Sequence, residues 1–112
     1  MSKYLLIVFS NPVKGKDDQF NDWYSRQHLD DVLRVPGLVS AQRFKCLAGQ
    51  QFTHEYAAIY EIETDDLAAT QAEMASRPGT VEMPISDAMD RSGAIGFYVA
   101  PISERKTAAK LR

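Results

Sequence analysis

Between Trp23 and His28 the sequence WYSRQH sets the chain's only tryptophan, a tyrosine, an arginine and a histidine within six residues. A free imidazole titrates near about pH 6.5, so a modest shift makes it a general acid or base at neutral pH. Aromatic rings around it would exclude water and wall a pocket for a flat, apolar molecule. The chemistry open to this set is proton transfer at carbon. It needs one tuned base, one donor facing the developing oxyanion, and a dry site. His28 is the candidate base, Trp23 and Tyr24 the candidate lining, and Arg43 or Tyr98 the candidate donor to an enolate or phenolate. The competing use is packing, with Phe20, Trp23 and Tyr24 as core aromatics and His28 as a satisfied histidine.

Arg43 lies between Gln42 and Phe44 in a segment that reads as a covered strand. A buried guanidinium needs an anion or several acceptors, so Arg43 either pairs with Glu61, the simpler expectation, or offers its charge to a ligand. Tyr60 and Tyr98 read first as packing residues, although a tyrosine hydroxyl beside an imidazole makes a proton partner. His54, in the run HEY, reads as an exposed residue at a strand end. Two histidines and scattered carboxylates at no ligand spacing predict no metal site, and no bound cofactor is expected. The lone Cys46 excludes an internal disulfide or a cysteine zinc cluster and reads as a small hydrophobe in or near a strand. Gly93 and Gly96 make no phosphate cradle, because no helix follows them.

Around these residues stands a chain of 112 residues, 45% apolar and 25% charged, which is one domain by length. Thirteen basic against fifteen acidic side chains leave a net charge of −2, with no basic patch to bind nucleic acid. The six apolar residues Tyr4 to Phe9 are too few for a signal-peptide core or a membrane span. A cytoplasmic protein without membrane contact is expected.

Tyr4 to Phe9 reads as a strand buried on both faces, and Pro12 and Gly15 punctuate the turn after it. Asp17 and Asp18 suit a helix start, and Pro36-Gly37 end a helix that runs to about Leu33. Two strands follow, Leu38 to Leu47 and Phe52 to Glu63, joined by a hairpin loop at 48–51. Thr64-Asp65-Asp66 signals a second helix carrying Leu67, Gln71, Met74 and Ala75, stopped by Arg77-Pro78-Gly79. Pro84 is placed to open a short helical piece with Ile85, Ala88 and Met89. Gly93 to Ala100 reads as the last strand, before a polar tail at 103–112. The order β-α-β-β-α-β predicts an α+β, ferredoxin-like protomer: a four-stranded antiparallel sheet with helices on one face. The other face is also apolar, so a homodimer packed sheet to sheet is expected.

The first helix poses a problem. At about 100° per residue, Phe20, Trp23, Tyr24, Gln27 and Asp31 lie on one side and Leu29, Val32 and Leu33 roughly opposite. Either the helix is kinked or re-phased between Tyr24 and Leu29, or it is buried on two sides. His28 sits where the faces change over.

The stretch FNDWYSRQHLDDVLRVPGLVSAQRF, directly after an apolar first strand, resembles the dimeric α/β-barrel proteins, and within them the EthD-like group. There a histidine lies about eight residues before a Pro-Gly that opens the second strand, as His28 does here. The resemblance implies a dimer with a pocket between each sheet and its helices. It also implies cofactor-independent chemistry of isomerase, cyclase, dehydratase, lyase or monooxygenase type on a small hydrophobic or aromatic, lactone or polyketide-like metabolite. Some members of the superfamily have no known activity, so a non-catalytic or stress-associated binding dimer is the alternative. In the methylmuconolactone isomerase type the histidine matching His28 belongs to the active site. That type also uses a tyrosine from the second strand where this chain has Ala41, which argues against the identical reaction. The heme branch places a histidine ligand on a later helix, and residues 64–91 contain none.

Overall fold

Residues 1–47 and 52–112 are described by the computed structural model. The expected hairpin loop at 48–51 lies outside the described residues. Four strands, β1 (Ser2–Ser10), β2 (Leu38–Lys45), β3 (Tyr56–Thr64) and β4 (Ile95–Val99), form one sheet in the order β2-β3-β1-β4. Every neighbouring pair is antiparallel. Helical segments α1 (Asp17–Trp23) and α2 (Leu29–Leu33) join β1 to β2, and α3 (Leu67–Ser76) follows β3. The arrangement is the ferredoxin-like α+β fold.

Strand register sorts the side chains, because alternate residues face opposite sides of a sheet. Ala41, Tyr60, Leu6 and Tyr98 align across all four strands, and Arg43, Ala58, Val8 and Gly96 form the next row on the same side. The helices cover these rows: Tyr60, Ala58 and Leu6 are buried together with Phe20, Tyr24, Val32 and Val35. Gln42, Ile59, Ile7 and Phe97, with Phe44, Ala57, Phe9 and Ile95, make up the opposite face. Phe44, Ile95 and Phe97 are exposed there.

Gly37 shows why the first crossover ends where it does. Its φ of 99° is open to glycine, and a Cβ added there would stand 3.1 Å from Thr70 Oγ1. At the start of α3, Asp66 accepts a hydrogen bond from the Ala69 amide, so the N-cap read from Thr64-Asp65-Asp66 is made by its last residue.

Two local expectations fail. No helix forms after Pro84, because the segment is spent on tertiary pairing: Val13 N–H donates to the Ala88 carbonyl, and Met89 bridges to Pro12. His54 is buried rather than exposed, since β3 starts at Tyr56 and the residues before it fold back against the connection to β4. There His54 Nε2 lies 2.6 Å from the Gly93 carbonyl oxygen.

Candidate functional site

The first crossover does not run as one α-helix. Tyr24–His28 form a π-turn between α1 and α2, and Leu29 N–H donates to the Tyr24 carbonyl, five residues back. The buried side chains Phe20, Tyr24, His28 and Val32 recur every four residues. At 100° per residue that spacing drifts by about 40° per step, which would carry Val32 off the core. The wider π-turn takes back part of this drift and keeps both apolar groups over the sheet. Of the two alternatives, the conflict of faces is met by re-phasing, between Tyr24 and Leu29 where the faces change over.

His28 closes the turn. Its imidazole stacks on the Trp23 indole, centroids 4.6 Å apart and planes 28° from parallel. It also meets the Tyr24 ring edge-on at 4.8 Å. Tyr24 in turn touches Phe20, and its hydroxyl lies 3.1 Å from that of Tyr60 on β3. Burial pushes both tyrosines above their ordinary range. Burial also lowers His28 to about 4; Asp31 opposes this, and Arg43 adds to it. The imidazole is therefore neutral at neutral pH, and its Nδ1 is buried without a hydrogen-bond partner among the described residues.

The expected Arg43–Glu61 salt bridge is not formed. Register turns Arg43 toward the helices and Glu61 to the opposite face, where its carboxylate accepts from Ser40 Oγ at 2.7 Å. Arg43 instead lies over the rings of Phe20, Tyr24 and Tyr56, with its Cζ 4.6 Å from the Tyr24 centroid. Its Nη1 donates to Ser25 Oγ at 3.0 Å and its Nη2 to Asn21 Oδ1 at 2.9 Å. Burial lowers its pKa, and the Tyr24, Tyr56 and Tyr60 hydroxyls oppose that shift.

Among the residues singled out in the sequence, Trp23, Tyr24, His28 and Arg43 converge on one cluster. Tyr98 does not join them: β1 separates it from Tyr60, and it packs on the core from the other side of Leu6. Asn21, Ser25, Tyr56 and Asp31 belong to the cluster and were not anticipated. Asp31 is buried, with Oδ1 accepting from Arg34 at 2.7 Å and Oδ2 unpartnered. Its spacing of three from His28 was the available signal. Among the described residues, four buried polar atoms lack partners, Trp23 Nε1, His28 Nδ1, Asp31 Oδ2 and Arg43 Nε, and all belong to this cluster.

Among the described residues, cavities of about 460, 330 and 210 Å³ lie beside Gly37 and Thr70, between β1, β3 and the tail, and beyond the end of α3. None of the three is lined by His28 or Arg43.

No family model matches the sequence, and no curated protein matches it. Solved structures are similar in fold. The heme-degrader MhuD from Mycobacterium tuberculosis, with two hemes bound in its active site, gives a TM-score of 0.61 at 15% identity. That match covers 92% of this chain and 99% of that one. A ferredoxin-like dabb family protein from Mesorhizobium loti gives 0.63 at 10% identity over 92% and 100%. HapK from Hahella chejuensis gives 0.55 at 15% identity over 96% and 99%. These likenesses define the class: a ferredoxin-like α+β protein. His54 does not fit an axial heme ligand, because its two ring nitrogens are engaged by the Gly93 carbonyl and Thr53 Oγ1. No group of three or more potential metal ligands occurs among the described residues. No helix there is long and apolar enough to cross a membrane.

Proposed function

We propose that the protein is a small enzyme of EthD-like type. It would carry out cofactor-independent acid/base chemistry on an aromatic, lactone or polyketide-like metabolite in the cytoplasm, as a homodimer. The observation that carries this reading is a buried, neutral imidazole, His28, whose Nδ1 has no partner and which is framed by Trp23 and Tyr24. The neutral His28 takes a proton from carbon on its unprotonated ring nitrogen. The C–H electrons pass to the adjoining carbonyl as an enolate, and the imidazolium returns the proton at a second carbon or to a departing hydroxyl. A base lowered to about 4 is weak, so the carbon acid must be activated by flanking carbonyls. Polyketide-like 1,3-dicarbonyl compounds meet that condition, as do lactones that carry a second carbonyl on the acidic carbon.

The test is hydrogen–deuterium exchange at carbon, followed by NMR in D₂O with a panel of lactones and 1,3-dicarbonyl compounds. Wild-type protein accelerates exchange of a member of the panel and His28→Gln does not. Equal exchange by both proteins, or acceleration of none, overturns the catalytic assignment.

A second reading, a binding dimer without catalysis, is favoured by one observation: the His28 Nδ1 is buried, and the rings of Trp23 and Tyr24 pack against its imidazole. Saturable metabolite binding without exchange would select it.

A further inference from the structure

Arg43 is a half-buried cation whose described contacts leave its charge uncompensated. It holds two of its positions through Asn21, by the backbone oxygen and by Oδ1, and a third through Ser25 Oγ. These acceptors are neutral, and so are the three aromatic faces of Phe20, Tyr24 and Tyr56 around it. Such contacts fix a guanidinium in place without cancelling its charge. Among the described residues no carboxylate lies within ion-pair distance of it, whereas Arg26, Arg34 and Arg77 each have at least one. A guanidinium carries five N–H donors. The three bonds above use two on Nη1 and one on Nη2, leaving two: one on Nη2 and that on Nε, which is buried and unpartnered. β2 is an edge strand and Ser25 is exposed, so the group stands at the rim between helix and sheet, within reach of a solute.

We infer that Arg43 is an anion-binding subsite, and that the metabolite is an acid: an aromatic ring or acyl chain bearing a carboxylate. The anionic end lies on Arg43 and the flat, apolar part extends toward Trp23 and Tyr24. The inference rests on reading the aromatic cluster as a small-molecule site, but it does not require His28 to be catalytic. It limits the substrates to negatively charged ones, which the proton chemistry alone does not do.

Trp23, the chain's only tryptophan, reports on the cluster directly. Its emission is followed while benzoate, or the neutral isostere benzamide, is added to the purified protein at millimolar concentrations. Benzoate changes the emission saturably and benzamide does not. Arg43→Gln weakens benzoate by about tenfold or more, as loss of a charged hydrogen-bonding partner does, and Arg43→Lys restores part of the loss. Equal response to the two probes in wild-type protein overturns the subsite whether or not the variants fold, and so does the absence of any response to benzoate. His28→Gln separates the two proposals. If it keeps benzoate binding while carbon exchange is lost, both stand. If benzoate binds but exchange is absent from the wild type, the catalytic reading fails and the subsite remains.

Discussion

The His28 imidazole lies face to face with the Trp23 indole, 4.6 Å between centroids, at the end of a π-turn that both residues flank or close. Burial keeps the imidazole uncharged, with Arg43 adding to the effect and Asp31 opposing it. His28 has a pKa of about 4 in the folded chain against an ordinary 6.5.

Acid stability follows from that difference. Between these values the unfolded chain binds a proton that the folded chain refuses. The contribution is complete above about pH 6.5 and is lost as pH falls toward about 4, by about 3 kcal/mol. Urea unfolding at a series of pH values measures it. His28→Gln flattens this part of the profile, and an unchanged slope in that variant would show that His28 is not held neutral.

Two charged neighbours pull the imidazole in opposite senses. Asp31 raises its pKa and Arg43 lowers it. In NMR titrations Asp31→Asn moves the His28 midpoint down and Arg43→Gln moves it up. Shifts of the same sign would contradict the arrangement of the cluster.

The Tyr24–Tyr60 hydroxyl pair is buried, at 3.1 Å. Tyr60→Phe leaves the Tyr24 hydroxyl without this partner and costs about 1–3 kcal/mol. Replacing both tyrosines by phenylalanine costs less than the two single changes summed, because no polar group is then stranded. Denaturant unfolding of the four proteins completes the cycle, and strict additivity would exclude the bond.

On the outer face of the sheet, Phe97 is exposed amid Phe9, Ile7 and Ile95. A second copy covering this face buries them. Sedimentation then finds a dimer, and Phe97→Glu shifts it toward monomer. A monomeric wild type would remove the sheet-to-sheet dimer.

Gly37 and Gly15 both have positive φ, yet only Gly37 meets a neighbour where a Cβ would stand. Each substitution to alanine costs about 1 kcal/mol in backbone strain. Gly37→Ala costs more than Gly15→Ala because Thr70 Oγ1 must move. Equal melting temperatures for the two variants would show that the contact is inconsequential.

Periodicity and punctuation determined much of this protein by themselves. Apolar alternation, the Pro36-Gly37 stop and the Thr64-Asp65-Asp66 cap act over a few residues, so the order of strands and main helices, the ferredoxin-like class and the conflict of faces in the first helix were legible. That Tyr24 and His28 meet was legible for the same reason, as residues four apart on one helix, whereas the stacking of His28 on Trp23, five residues back, depends on the π-turn. The partners of Arg43, the burial of His54 and the irregular course after Pro84 were decided by tertiary structure. Each depends on which sheet face a strand turns inward or on pairing between distant segments, such as Val13 with Ala88 or His54 with Gly93. Glu61 and Arg43 lie on adjacent strands, but the pleat sends them to opposite faces. Register, a property of the assembled sheet, left Arg43 without that carboxylate.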